Sequence, residues 1–228
     1  MDRRLVEAGL GSRKEVAKLV RSGRVSVDGV QADSPEAHVS LLSSLTVDDR
    51  PVLIVPLALV YHKPLGVLVT MEDPWGRTTV ASTLGPALPP GLHPVGRLDR
   101  DSSGLLLFSS DGQLTQRLLH PKRAVEKEYV ATVERPAPPD LEALLQAGVV
   151  TKEGVHTARL LGVAGNEIRL VVTEGKHRMV RRMLANLGLP VTALSRVRFG
   201  ALTLGELPSG ELRAASESEL SWLETLRR

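Results

Sequence analysis

Asp99 closes the tetrapeptide Gly96-Arg97-Leu98-Asp99, and Asp101 opens the turn Asp101-Ser102-Ser103-Gly104 two residues on. The apolar run Leu105-Leu106-Leu107-Phe108 follows at once. A carboxylate in a glycine-rich turn at the mouth of a buried strand is held rigidly, close to apolar surface and within reach of a substrate. Such a group can attack an electrophilic carbon or take up a proton. An isolated aspartate in a turn more commonly caps its own backbone, so the chemistry depends on what else the chain brings. Two carboxylates flanking one bond would suit glycoside hydrolysis. Asp99 and Asp101 are the nearest pair, and they are expected to be poor partners for it.

Other reagents are sparse. The chain has no cysteine, which excludes disulfides, thiolate–zinc sites and a cysteine nucleophile. Its six histidines, at 38, 62, 93, 120, 156 and 177, never fall three or four apart, so no metal-binding helix face is legible. Neither a metal nor a cofactor is expected. At 228 residues, 42% of them apolar and 24% charged, the chain has a globular composition with ample core. No apolar run reaches the length of a membrane span, and the start, MDRRLVEAGL, lacks the apolar stretch of a secretion signal. A soluble, cytoplasmic, monomeric protein without a membrane partner is expected.

The formal net charge is only +3, but it is unevenly spread. Arg3, Arg4, Arg13, Lys14, Lys18, Arg21 and Arg24 crowd the N-terminal end, and Lys176, Arg178, Arg181, Arg182, Arg196 and Arg198 fill a second stretch with no acid. Positive charge collected in two places points to a polyanion partner. The elements that carry it are readable. Ser12 and Glu15 have capping-box spacing. Val16, Leu19 and Val20 then share one helical face, opposite Arg13, Lys14, Lys18 and Arg21. Gly23 closes this helix, and Asp28-Gly29 turns a hairpin after Val25 and Val27. Residues 1–56 read as a small helical and hairpin domain with its linker, the connection running from Pro51 to Pro56. Residues 57–228 read as an α+β domain on a largely antiparallel mixed sheet around a cleft. Its expected strands include Ala58 to Tyr61, Val130 to Val133 and Ile168 to Val172. Its expected helices are Gln113 to Leu119, Asp140 to Ala147 and Lys176 to Leu187.

The first fifty residues resemble the S-four-type RNA-binding domain, through Leu5, Ala8-Gly9, Ser12-Arg13, Ala17, Leu19-Val20, Gly23, Val25, Val27, Asp28-Gly29 and Pro35. The resemblance implies that Arg13, Lys14, Lys18, Arg21 and Arg24 face RNA phosphates. From Gly96 to Gly112 the chain resembles the signature of the pseudouridine synthases that modify ribosomal RNA. His62-Lys63-Pro64-Leu65-Gly66, Glu126-Lys127-Glu128-Tyr129 and Glu174 through Met183 resemble three further motifs of that family. Asparagine is usual at His62 and glutamine at Met179; both departures bear on the substrate pocket.

Pseudouridine forms when a nitrogen–carbon glycosidic bond is broken and the uracil rejoined through carbon 5, which needs one carboxylate and no cofactor. By resemblance Asp99 is that carboxylate, Tyr129 the aromatic ring of the pocket, and Arg181 the cation beside the aspartate. Asp101 shapes the turn, and His62 packs. Lys63, Arg97, Lys176, Arg178 and Arg182 are expected at phosphates. Length and layout resemble the small-subunit branch of the family, implying a uridine in 16S rRNA, as free RNA or in a pre-ribosomal particle. The alternatives are a large-subunit 23S rRNA synthase and a non-catalytic RNA-binding assembly module.

Overall fold

The computed structural model describes residues 1–37, 39–40, 43–52 and 58–227. Most of the expected Pro51–Pro56 connection, and the expected boundary after residue 56, lie outside the described residues. Among those described, no helix is long and apolar enough to cross a membrane.

The N-terminal part begins with helices α1 (Asp2–Glu7) and α2 (Arg13–Arg21). The capping box forms as the spacing implies: Ser12 Oγ accepts the Glu15 N–H, and the Glu15 carboxylate accepts the Ser12 N–H at 2.7 Å. Two backbone donors that a helix start leaves open are thereby satisfied. Val16 and Val20 of α2 pack with Leu5, Val25, Val39 and Leu45 in a small core. Arg13, Lys14, Lys18 and Arg21 all lie exposed on the other face. The expected hairpin pairs β1 (Val25–Val27) with β2 (Val30–Gln31). A second hairpin, β3 (Leu45–Val47) and β4 (Arg50–Pro51), completes a sheet of order β2-β1-β3-β4. It turns at Asp48-Asp49, where both residues have positive φ, 50° and 61°. Aspartate tolerates that conformation better than most residues, and without a glycine the turn leaves little sequence signal.

The rest of the chain wraps helices around a nine-stranded sheet. In chain order come β5 (Ala58–Lys63), α3 (Val80–Leu84), β6 (His93–Pro94), β7 (Ser103–Ser109), α4 (Gly112–Leu119), β8 (Lys127–Val133) and α5 (Leu141–Ala147). A two-stranded hairpin, β9 (Val149–Thr151) and β10 (Gly154–His156), precedes β11 (Arg159–Ala164), β12 (Glu167–Val172) and α6 (Met179–Asn186). Then follow β13 (Val191–Phe199), β14 (Leu202–Thr203), β15 (Leu212–Ala214) and α7 (Glu217–Arg227). The large sheet runs β11-β12-β8-β13-β7-β5-β15, with β14 on β13 and β6 on β7. Every pairing in it is antiparallel except β7 with β13, so the largely antiparallel mixed sheet is as expected.

The four successive apolar residues of β7 are explained by burial on both faces. Leu106 and Phe108 enter one core with Leu59, Tyr61 and Tyr129. Leu105 and Leu107 enter the other with Val60, Leu114, Phe199 and Leu223. The expected strands and helices form, with one informative shift. The helix expected from Lys176 starts only at Met179, because Arg178 takes a left-handed conformation, φ 52°. Lys176 to Arg178 become a turn, and that turn reaches the site.

Candidate active site

Asp99 sits in the turn that delivers the chain into β7, and two glycines allow the turn to exist. Gly96 has φ 75°. Gly104, φ 106°, lies where β13 runs parallel against β7; a Cβ there would stand 2.6 Å from the Arg196 backbone nitrogen and overlap its carbonyl oxygen. Only glycine permits this approach. The consequence is chemical: Arg196 is drawn in beside the turn, its Nε donating to the Leu105 carbonyl at 2.9 Å. The Asp99 backbone carbonyl accepts the Ser102 N–H at 3.1 Å, which pins the turn. Its carboxylate takes no hydrogen bond or ion pair among the described residues and lines a cavity of about 570 Å³.

Tyr129 lines the same cavity from β8, 8% exposed. Its hydroxyl has no hydrogen-bond partner among the described residues, unlike that of a tyrosine bonded into a core. Lys127, on the same strand, and Arg196, on β13, line the cavity too and flank the Phe199 ring at 5.5 and 5.1 Å. Burial, with Arg196 nearby, pulls the Lys127 amine down to about 8. Neither residue stood among the expected site residues. Lys127 lies inside a quoted motif segment and Arg196 in the second basic stretch, but only the strand pairing of β8 with β13 shows that they face one place.

One expectation needs correction. Lys63 was expected at a phosphate, but it is fully buried and donates to the carbonyls of Pro64 and Ser102 at 2.9 and 2.7 Å. Burial lowers its amine to about 8, against the opposing pull of the Asp101 and Asp99 carboxylates. It braces the turn from beneath instead of reaching RNA. Arg178, also expected at a phosphate, lines the cavity with its side chain part-exposed, and its guanidinium grips the Asp101 carboxylate with two hydrogen bonds of 2.8 Å. This fork-on-carboxylate geometry is among the stronger polar contacts a protein makes.

Arg181 was expected beside Asp99; its direct partners are Asp101 and the Val191 carbonyl. Its guanidinium donates to the Asp101 carbonyl at 2.5 Å and the Val191 carbonyl at 2.9 Å, with the Asp101 carboxylate 3.5 Å from Nε. Burial draws this guanidinium below its usual value. The hydrogen bonds from Arg178, with both guanidinium charges, hold the Asp101 carboxyl below the usual carboxylate range. Lys63, Arg178 and Arg181 also feel the Asp99 charge through space. Asp101 therefore does more than shape a turn; it gathers two guanidiniums beside Asp99. A strand here would have put Asp99 and Asp101 on one face. The chain turns instead, Asp99 lines the cavity, and Asp101 is occupied by arginine. They do not form a hydrolytic pair.

The remaining expected residues are scattered. Arg97 is exposed at the cavity rim. Lys176 is also on the rim, 3.5 Å from Glu174. Arg182 pairs with Glu153 and contacts His177. Arg24 is engaged by Asp48, Nε to Oδ1 at 2.7 Å. His62 packs as expected, Nδ1 lying 2.7 Å from the Leu207 carbonyl. Among the described residues, no group of histidines and acids could hold a metal ion.

Chemically, the cavity lining combines the Asp99 carboxylate, which among the described residues has no side-chain partner, with the Tyr129 ring, Glu174 and the cations Arg97, Lys127, Lys176, Arg178 and Arg196. Residues 58–186 match the model of the RNA pseudouridylate synthase family, and residues 2–41 match the S4 domain. The chain is 38% identical to a protein of Yersinia pestis named ribosomal large subunit pseudouridine synthase B, covering 90% of this chain and 69% of that one. A Vibrio cholerae protein of the same name is 35% identical over 97% of this chain and 73% of its own. A crystal structure described as pseudouridylate synthase superposes with a TM-score of 0.68 at 28% identity, covering 97% of this chain and 98% of the other. With a family model matching more than half of the chain, and relatives alike over most of their length, this chain belongs to the RNA pseudouridylate synthases and carries an N-terminal S4 domain.

Proposed function

We propose that this protein converts a uridine of large-subunit ribosomal RNA to pseudouridine, with Asp99 as the catalytic carboxylate. The observation that carries the assignment is the placement of Asp99. It lines a cavity large enough for a nucleoside, its side chain has no partner among the described residues, and Tyr129 lines the same space. Extruding the target base from its stack costs a few kcal/mol, part of which the Tyr129 ring can return by stacking. Lys63, Arg178 and Arg181 supply positive charge beside Asp99, which favours the approach of an anionic RNA backbone. Asp101 and Arg181 act as positioning residues for this constellation. Arg13, Lys14, Lys18 and Arg21 of α2 serve as a phosphate-tracking face that adds affinity without reading bases.

The large-subunit reading is preferred to the small-subunit one that length and layout suggest, because the Yersinia and Vibrio relatives are both named large-subunit enzymes. The test is release of tritium from uracil carbon 5 on separate 23S and 16S transcripts. Wild-type protein should release it from 23S rRNA. Asp99→Asn should release none, while its melting temperature stays near wild type, since such an exchange at a half-exposed position costs about 1–2 kcal/mol at most. Release from 16S rRNA alone would overturn the choice of subunit. An active Asp99→Asn would overturn the assignment of the carboxylate.

A further inference from the structure

The loop between β5 and α3 presents a feature that the cavity chemistry does not use. Trp75, one of only two tryptophans in the chain, is 76% exposed. A lone apolar side chain on a surface is ordinary; the framework holding this one is not. The Asp73 carboxylate, its side chain only 4% exposed, accepts the N–H groups of Trp75 at 3.2 Å and Arg77 at 2.8 Å. It also binds the Arg77 guanidinium, with Nη2 at 2.6 Å and Nε at 3.1 Å. The same guanidinium lies over the Trp75 ring, 4.8 Å from its centroid. One carboxylate thus fixes both the backbone that aims the indole outward and the cation that lies across it.

The loop is fastened to the catalytic turn. Its neck is closed by Leu68 N–H to Thr78 carbonyl and Val80 N–H to Leu68 carbonyl, both 2.9 Å. Two residues before that neck, the Gly66 N–H donates to the Arg100 carbonyl at 2.8 Å, and Arg100 Nε returns a bond to the Gly66 carbonyl at 3.1 Å. Arg100 is the residue after Asp99. An aromatic face and a cation are therefore carried on a support clamped to the residue next to the reacting carboxylate.

We propose that Trp75, backed by Arg77, is a stacking platform for an unpaired base of the RNA outside the cavity, and that it helps choose and hold the strand. The proposal rests on the RNA-modifying reading above. A nucleobase is the occupant favoured by the observations. An indole accepts any base by its π-face, the half-exposed Arg77 guanidinium offers N–H donors to the adjoining phosphate, and single-stranded RNA is commonly held by this combination. Asp73 is neutralised by Arg77 and opposes the approach little. A rigid aromatic also loses less freedom on binding than a mobile one.

The experiment follows tryptophan fluorescence during titration with oligouridylate and with a 23S rRNA transcript, in wild type, Trp75→Phe and Trp75→Ala. Tritium release is measured on the same preparations. Quenching should occur in wild type and vanish in Trp75→Phe, which has only Trp222 to report. Trp75→Ala should raise KM for the transcript about five- to tenfold and leave kcat within about twofold, with an unchanged melting temperature. Trp75→Phe should recover most of the affinity. Tritium release with no quenching and an unaltered KM in Trp75→Ala overturns the platform and leaves the enzyme reading intact. Quenching without tritium release by wild type upholds the platform and overturns the enzyme reading instead.

Discussion

Asp99 and Asp101 have the same chemistry two residues apart, and the fold gives them opposite duties. One carboxylate lines the cavity with no partner among the described residues; the other is shared by Arg178 and Arg181. Asp101→Asn keeps the shape but loses the charge that holds two guanidiniums, one of them on a left-handed residue. The expected outcome is a folded protein with kcat lowered about tenfold, close to the one hydrogen bond's energy lost at the site. The pH profile of that variant should also differ from that of wild type in single-turnover tritium release. Full activity in Asp101→Asn would mean that the arginines hold their places unaided. Asp99 could be picked from sequence because its motif is contiguous. Lys63 could not be placed that way, since a lysine beside Pro-Leu-Gly reads as surface, and its burial depends on Ser102, thirty-nine residues on.

At the scale of elements, the site is made by three pieces meeting: the turn before β7, the strand pair β8–β13, and the first turn of α6. What joins them is the close parallel contact of β7 with β13 at Gly104 and Arg196. Gly104→Ala should therefore cost about 3 kcal/mol, from a positive φ and a backbone clash together. The melting temperature should fall by roughly 10 °C, and activity should be lost along with it as Arg196 shifts. An unchanged melting temperature would show that β13 can retreat freely. The capping box of α2 and the doubly buried β7 were legible because each is a short-range pattern. The β3–β4 hairpin, α3 and α7 went unread. Asp48-Asp49 is a weak turn signal, α3 is five residues long, and the acidic tail holding α7 reads first as solvated charge.

Across the whole molecule, the C-terminal helix is tied back by buried acids, Asp111 through Arg227 and Glu219 through Arg213. Glu219 is 4% exposed. Burial alone would raise its carboxyl, but hydrogen bonds from Arg213 and from the N–H groups of Ser216 and Thr203 outweigh it and hold it at about 2. A group whose folded pKa is depressed stabilises fully above its ordinary value, here 4.5, and that stability drains away as pH falls toward the folded value. Wild type should exceed Glu219→Gln by about 3 kcal/mol at neutral pH. The gap should narrow below pH 4.5 and close near 2. A gap that stays constant with acid would assign the loss to packing instead of charge.

The β7–β13 seam has a consequence for the order of events during synthesis. Asp99 and its turn leave the ribosome early, but the partner strand carrying Arg196 is made ninety-odd residues later, and α6 with Arg178 and Arg181 only shortly before it. Until then β7, apolar on both faces, can pair only with β5 and β6. The nascent chain thus holds an N-terminal domain able to fold locally, followed by a catalytic half that must wait for its central strand. RNA binding can begin on the growing chain, whereas isomerisation cannot start until β13 has zipped in. A protein truncated before Val191 should bind RNA through α2 and turn over none of it.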